Sequence, residues 1–535
     1  MNVLFIIPPY NTIDSYIPTE QGQKKPLLTI PYGVLSIVSY CNIDKQHYIQ
    51  VFDCNKFIIE HLSEPNLESV LNNELCEIIK TFSPNVIGIS ALFNTTFSQL
   101  KIVKDIKRIS NDSLIVVGGG LATNLYKELF VHYPEIDAVC YGEGEIPFKK
   151  LLENKTQTDL STLSDSWITK KSLTENKIPS YDFVLDLDTI PTIDLSVIDY
   201  KKYNQRSYIK KNETDKIEIS LHTSRGCPFK CVFCANSKLH GKQIRTMSLN
   251  KIKDTIIEYK NKYNITILMI EDDHFLHDKN KAIQVLKIIE ELGLSVEFPN
   301  GLTVFKIDED IVKALVGARV EIITLAIESG SEYVLKHIIN KPLSKNTIQR
   351  VVGILKRYNI RIHAFVVIGL PEETDEHRKE SLEFLSSLQL DWVYVFIATP
   401  IVGSRLYDIC IERGYIQKTD FDKHVVTKGN IIANGVLPEY VESYASYMNA
   451  KLNLLENSNF KKGNTDLALQ YINNVIKSYP NEAIANYVLY KFYNGVGDKE
   501  RSDFHFQKYN ENKHSYIFKH KGINVWGELI KEYFE

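Results

Sequence analysis

Short β-branched runs alternate with amphipathic stretches along most of this chain, in two series set apart by a polar segment, and that alternation points to an α/β architecture. The first series is Val3 to Ile7, Tyr48 to Phe52, Val86 to Ser90, Leu114 to Val117 and Ala138 to Tyr141. Each run adjoins a segment long enough for a crossover helix, so residues 1–155 are expected to form a doubly wound parallel sheet. An aspartate-rich linker over 156–215 follows. The second series is Ile217 to Leu221, Ile265 to Ile270, Ser295 to Phe298, Glu321 to Ile327, Arg361 to Ile368 and Trp392 to Ala398. Helical patterns such as Leu249 to Tyr263 and Lys279 to Glu291 separate these runs, which predicts a partial barrel of parallel strands over 216–420, open at one side.

Strand patterns stop at about 421, and the remainder to 535 is read as an α-helical region. Within it, residues 465–497 carry Ala468, Tyr471, Ile472, Pro480 and Ala483, a pattern that resembles one tetratricopeptide hairpin. Such repeats stack in threes or more, so these helices are expected to cover the open side of the barrel and shape a substrate channel. A docking module for a carrier protein or peptide is the alternative. A length of 535 residues predicts two to four domains, and 44% hydrophobic content suffices for their cores. The net charge of -3 argues against a nucleic-acid-binding surface across the molecule, because phosphate binding needs clustered Lys and Arg.

The sharpest chemical signal is Ser224-Arg225-Gly226-Cys227-Pro228-Phe229-Lys230-Cys231-Val232-Phe233-Cys234, three thiols on one tight loop directly after the run Ile217 to Leu221. A four-iron cluster normally takes four thiolates. Three, with no fourth nearby, leave one iron for a small molecule. Structural zinc, the competing reading, prefers four ligands in paired short spacings; no second pair exists, although His222 or His240 could complete such a site. Cys41, Cys54, Cys76, Cys140 and Cys410 sit singly in apolar stretches, like the buried thiols of a reducing compartment. The start is apolar but broken by Pro8-Pro9, so a first strand is expected there and not a signal peptide. No apolar run reaches membrane-spanning length, and a cytoplasmic protein is expected.

The cysteine spacing, three residues and then two with an aromatic before the last thiol, resembles the signature loop of the radical S-adenosylmethionine (SAM) superfamily. That resemblance implies a 4Fe-4S cluster on Cys227, Cys231 and Cys234, whose open iron binds SAM and whose electron cleaves it to a 5′-deoxyadenosyl radical. It also implies SAM contacts at the strand ends: Glu271 and Asp272, then Glu328 and Ser329, then the backbone near Ile368 and Gly369. His274, His277 and His363 could serve acid-base roles, although single histidines near strand ends are more often satisfied structural groups.

The turn Gly118-Gly119-Gly120 follows a buried strand and opens the helical run Leu121 to Phe130, as either a tight turn or a ligand loop. Thr123 stands where a dinucleotide fingerprint would need glycine, so that motif is absent. A doubly wound domain ending in Tyr141-Gly142-Glu143-Gly144-Glu145, then a linker and the cysteine loop, resembles the cobalamin-binding subgroup of radical SAM enzymes over roughly residues 1–420. By that resemblance the first domain is a cobalamin-binding, Rossmann-type domain, with Ser90, Thr95, Gly118, Gly119 and Gly120 against the cobalamin tail and corrin face. No Asp-x-His-x-x-Gly motif occurs, so bound cobalamin is expected to have no histidine as its lower ligand.

The activity implied is cobalamin-dependent methylation of an unactivated carbon in a natural product, peptide or other metabolite, fed by a reducing partner such as flavodoxin or ferredoxin. Radical cyclisation, rearrangement or oxidation, with or without cobalamin, shares the same loop. A metal-stabilised peptide or carrier-protein binding module is the non-enzymatic alternative. No residue is singled out as catalytic.

Overall fold

The computed structural model describes residues 1–17, 28–93, 95–154, 159–203, 216–418, 429–520 and 523–535. The expected boundaries at 155, 215 and 420 fall outside these residues. The first sheet is built from β1 (Asn2–Ile7), β2 (Tyr48–Asp53), β3 (Val86–Ser90), β4 (Leu114–Gly118), β5 (Ala138–Cys140) and β6 (Trp167–Thr169), in the order β2-β1-β3-β4-β5-β6. The first five strands run parallel. The inner strands β1, β3, β4 and β5 are buried on both faces, which is why they read as continuous β-branched runs, whereas the edge strand β2 is only partly buried.

β6 is a departure from the sequence reading, because it lies in the stretch expected to be linker. It pairs antiparallel with β5, placing Trp167 opposite Cys140. Trp167 is buried, and its indole N–H donates to the Pro147 carbonyl at 3.1 Å. Three residues are too few for any periodicity to show.

The second body comprises β7 (Glu218–Leu221), β8 (Ser224–Arg225), β9 (Arg245–Thr246), β10 (Ile267–Ile270), β11 (Ser295–Glu297), β12 (Ile322–Glu328), β13 (Arg361–Ile368) and β14 (Trp392–Ile397). Two three-stranded parallel sheets, β7-β10-β11 and β12-β13-β14, meet at a bridge between Leu302 and Leu325 and form a partial barrel. β8 and β9 make a separate antiparallel ribbon that brackets the cysteine loop.

The edge strand β14 is not left bare. The side-chain amide of Asn453 accepts from the Val393 N–H at 2.9 Å and donates to the Val393 carbonyl at 2.7 Å, as a neighbouring strand would. The helix Pro438–Asn449 lies along the same strand. Beyond it, the helices Thr465–Ser478, Ala483–Gly495 and Lys499–Tyr516 follow, each packed against the next. The Tyr471 hydroxyl reaches Nε2 of His363 on β13 at 2.7 Å, so this region closes the base of the barrel on that side.

Candidate functional site

The cysteine loop hangs between fixed points. Gly226 has φ +95°, and a Cβ there would collide with the Gln243 carbonyl, so only glycine lets the chain leave β8 at this angle. Val232, between the second and third cysteines, donates its N–H to the Ile339 carbonyl at 3.0 Å and accepts from the Leu406 N–H at 2.7 Å. None of the three thiols is fully buried, and Cys234 is exposed. Among the described residues no three His, Cys, Asp or Glu side chains are drawn together tightly enough to hold a single ion. Three sulfur donors on a loop anchored through its backbone fit a multi-iron cluster with one iron left for another ligand.

The acids after β10 divide their work. Glu271 stays at the barrel mouth, where the Ser220 hydroxyl donates to it at 2.7 Å. Asp272 turns back into the protein: the Thr223 N–H, the Thr223 hydroxyl and the Ser224 hydroxyl donate to it at 2.6, 2.6 and 2.7 Å. Burial pushes its carboxyl up to about 6 despite those donors. Asp273, passed over in the sequence, accepts from the Gly226 N–H at 3.3 Å and the Asn236 amide at 2.7 Å, tying the two ends of the cysteine loop together. Asp272 thus supports the loop and does not face the mouth with Glu271.

At the end of β12, a register shift and φ +68° at Glu328 aim its carboxylate at Lys341, 2.8 Å away and nearly as buried. Lys341 also donates to the Ala326 carbonyl at 2.8 Å. Ser329 is fully buried and bonds Ser381 Oγ at 3.0 Å, so its hydroxyl belongs to the packing of the helix Asp375–Leu388. Ile368 is likewise buried. Gly369, at φ +80°, donates its N–H to Glu373 at 2.5 Å, and a Cβ there would strike Val441. The helix after this turn starts at Asp375 with Thr374 as its cap, four residues beyond Pro371. Glu328→Gln is expected to weaken SAM binding more than cluster assembly, with iron content and SAM affinity as the measurements. Unchanged affinity would remove Glu328 from the site.

In the first domain a cavity of about 240 Å³ opens at the carboxyl ends of the strands. Ser90, Gly118 and Gly119 line it, together with Phe5, Gly88, Val116, Phe148 and Trp167. Thr95 and Gly120 do not. The Thr95 hydroxyl accepts from the Leu92 N–H at 3.1 Å and shapes that turn, while the space a Gly120 side chain would take is filled by the Phe93 ring. Gly119 has φ +102°, and its absent Cβ is replaced by the Ala91 carbonyl at 2.5 Å. A Cβ on Gly118 meets Cys140 at an ordinary 3.5 Å. Gly118→Leu should therefore fold, fill the cavity and prevent hydroxocobalamin uptake with the cluster still loaded, whereas Gly119→Leu should also destabilise the turn. Uptake by Gly118→Leu equal to wild type would remove the cavity from cofactor binding.

The same cavity is walled on its far side by His222, Arg225, Leu239 and His240 from the second body. There the Gly-Glu-Gly-Glu segment meets the cysteine loop in a buried ionic cluster. Arg225, two residues before Cys227, donates to Glu143 at 3.1 Å, to Glu145 at 2.8 Å and to the Ser36 hydroxyl at 3.1 Å. Arg245 on β9 forks onto both Glu143 oxygens at 2.9 and 2.6 Å while lying 4.3 Å over the Phe183 ring. Nδ1 of His240 lies 2.8 Å from Glu143. Burial alone would raise the Glu143 carboxyl, but Arg225, Arg245 and His240 outweigh it and hold it well below the usual range. The first domain thus grips the strand pair that carries the cysteines.

Comparison with known proteins assigns both halves. Residues 221–385 match the radical SAM superfamily, and residues 46–152 match the B12 binding domain. The chain carries a B12 binding domain followed by a radical SAM domain. It is 24% identical to cytidylyl-2-hydroxyethylphosphonate methyltransferase of Streptomyces wedmorensis over 68% of this chain and 73% of that protein. It is also 24% identical to an anaerobic magnesium-protoporphyrin IX monomethyl ester cyclase of Synechocystis over 80% of this chain and 81% of that one. In fold it is similar to OxsB, a cobalamin-dependent SAM radical enzyme solved with aqua-cobalamin and SAM bound. The TM-score is 0.60 at 14% identity, covering 99% of this chain and 84% of that one.

The residues present fit these cofactors. The thiolate loop suits the cluster, and the apolar, glycine-walled cavity at the strand ends suits a ring system of cobalamin. No helix among the described residues is long and apolar enough to cross a membrane.

Proposed function

We propose that the protein is a cobalamin-dependent radical SAM methyltransferase acting on an unactivated carbon of a small molecule or peptide. The observation that carries this reading is the shared wall: Arg225 and His222, flanking the start of the cysteine loop, line the same cavity as Ser90, Gly118 and Gly119. When bound, the cluster and SAM supply a 5′-deoxyadenosyl radical that removes a hydrogen atom, and cobalamin supplies a methyl group.

The chain's own tasks are positional. Cys227, Cys231 and Cys234 would hold the cluster, and Asp272 and Asp273 fix the loop that carries them. Glu271 and Glu328, at the carboxyl ends of β10 and β12, would orient SAM at the mouth. The Glu143–Arg225 cluster holds the first domain against the barrel and keeps water out of the seam. A flavodoxin or ferredoxin would supply electrons in the cytoplasm. The methyltransferase reading is favoured over a cyclase by the phosphonate methyltransferase relative, while the cyclase relative keeps the second reaction open to test.

Anaerobically loaded protein, incubated with a flavodoxin reducing system, methyl-deuterated SAM and a small-molecule extract, distinguishes them. The expected result is 5′-deoxyadenosine together with a product carrying the deuterated methyl. Deoxyadenosine with a product of unlabelled carbon count would overturn methylation in favour of cyclisation or rearrangement.

A further inference from the structure

The inner wall of the barrel carries an aromatic ladder, whose Tyr394 hydroxyl lies 3.4 Å from Nδ1 of His363. Phe365 on β13 lies opposite Tyr394 on β14, and Phe396 follows one step nearer the mouth. Their ring centroids are 5.7 Å apart for Phe365–Tyr394, 5.6 Å for Phe365–Phe396 and 6.5 Å for Tyr394–Phe396. The opposite face of β13, Ile362, Ala364, Val366 and Ile368, is buried and joins the hydrophobic core, whereas none of the three ring residues does. Phe396 is 37% exposed. Below the ladder, Trp392 stacks on Tyr471 at 5.4 Å and 20°, giving the bore an aromatic floor.

The part of this ring surface that stays accessible is stabilised further when something apolar covers it. We propose that this ladder is the substrate wall and that the substrate presents it with a planar unsaturated ring, of indole, pyrrole or phenol type. A sugar or polyol laid on the Phe365 and Phe396 rings would leave its hydroxyls without partners there, and a saturated chain would forgo the offset stacking that three stepped rings offer. The proposal rests on the reading of the barrel as the radical-forming chamber and supplies the substrate class for it. Of the acids that would hold SAM, Glu328 ends β12, the strand beside β13, and Glu271 follows β10 in the other sheet, so the ring is presented to the radical at the mouth that these strands share.

The test is calorimetric binding of indole, and of cyclohexylmethanol as a non-planar apolar probe, to cluster- and cobalamin-loaded protein with SAM present. Indole is expected to bind saturably at about 1 mM, and cyclohexylmethanol at least about fivefold more weakly. Phe396→Ala, at an exposed position, and Phe365→Leu, which keeps apolar bulk without a ring face, should each weaken indole about fivefold. Equal affinity for the two probes, no saturable indole binding, or indifference to both substitutions would overturn the wall. Binding is read without turnover, so a protein that binds indole in this way but never cleaves SAM would sink the proposed reaction and leave the wall standing.

Discussion

Replacing Cys227, Cys231 and Cys234 together with alanine is expected to abolish iron loading, the visible absorption of the cluster and SAM cleavage, while the protein remains folded. The loop does not owe its position to its thiols. Val232 is held by Ile339 and Leu406, and Gly226 and Asn236 by Asp273, all through hydrogen bonds that survive the substitution. None of the three cysteines is fully buried, so no core cavity opens. Iron analysis, absorption, 5′-deoxyadenosine assay and circular dichroism on one preparation decide the matter. Full iron loading of the triple variant would refute the cluster assignment.

Glu143→Gln should have the largest effect on stability, lowering the free energy of unfolding by about 3–5 kcal/mol as seen when one partner of a buried ion pair is removed. Glu143 is 6% exposed and takes two guanidinium groups and an imidazole nitrogen. An amide offers one acceptor and turns an NH₂ toward those donors. The pH dependence follows from sign. A carboxyl held below its ordinary value of 4.5 contributes stability that is complete above that value and is withdrawn as pH falls. The gap between wild type and variant, measured by urea unfolding, should therefore narrow from about pH 5 to about pH 3. A gap that widens on acidification would contradict the ionic account. Because Arg225 leads into Cys227, the variant should also load less iron and less cobalamin at neutral pH, a joint loss that no damage confined to one domain would produce.

The first sheet was legible because burial on both faces forces long β-branched runs, as in Val3 to Ile7, and the barrel strands because one buried face still leaves runs such as Arg361 to Ile368 rich in β-branched and aromatic residues. The three-residue β6 and the two-residue ribbon β8–β9 lie below the length at which any pattern forms. Strand ends located the site, but not which side chain at each end faces outward. Glu271 and Asp272 look equivalent in sequence, and only the hydroxyls of Thr223 and Ser224, 49 and 48 residues away, decide that Asp272 turns inward. Ser329 and Thr95 show the same limit, since local packing claims both hydroxyls. The role of Glu143 was hidden for a related reason: its partners Arg225 and Arg245 are 82 and 102 positions distant, and no spacing rule links them.

Asn453 bears on how the barrel and the helical region relate. One amide side chain satisfies both backbone groups of Val393, so the last strand meets a counterfeit neighbour in place of a seventh strand. An exposed parallel edge would recruit the backbone of another molecule, and the helices that supply this mimic prevent such recruitment. The helical region is therefore a lid sewn onto the sheet, and a chain lacking it would end in an adhesive margin.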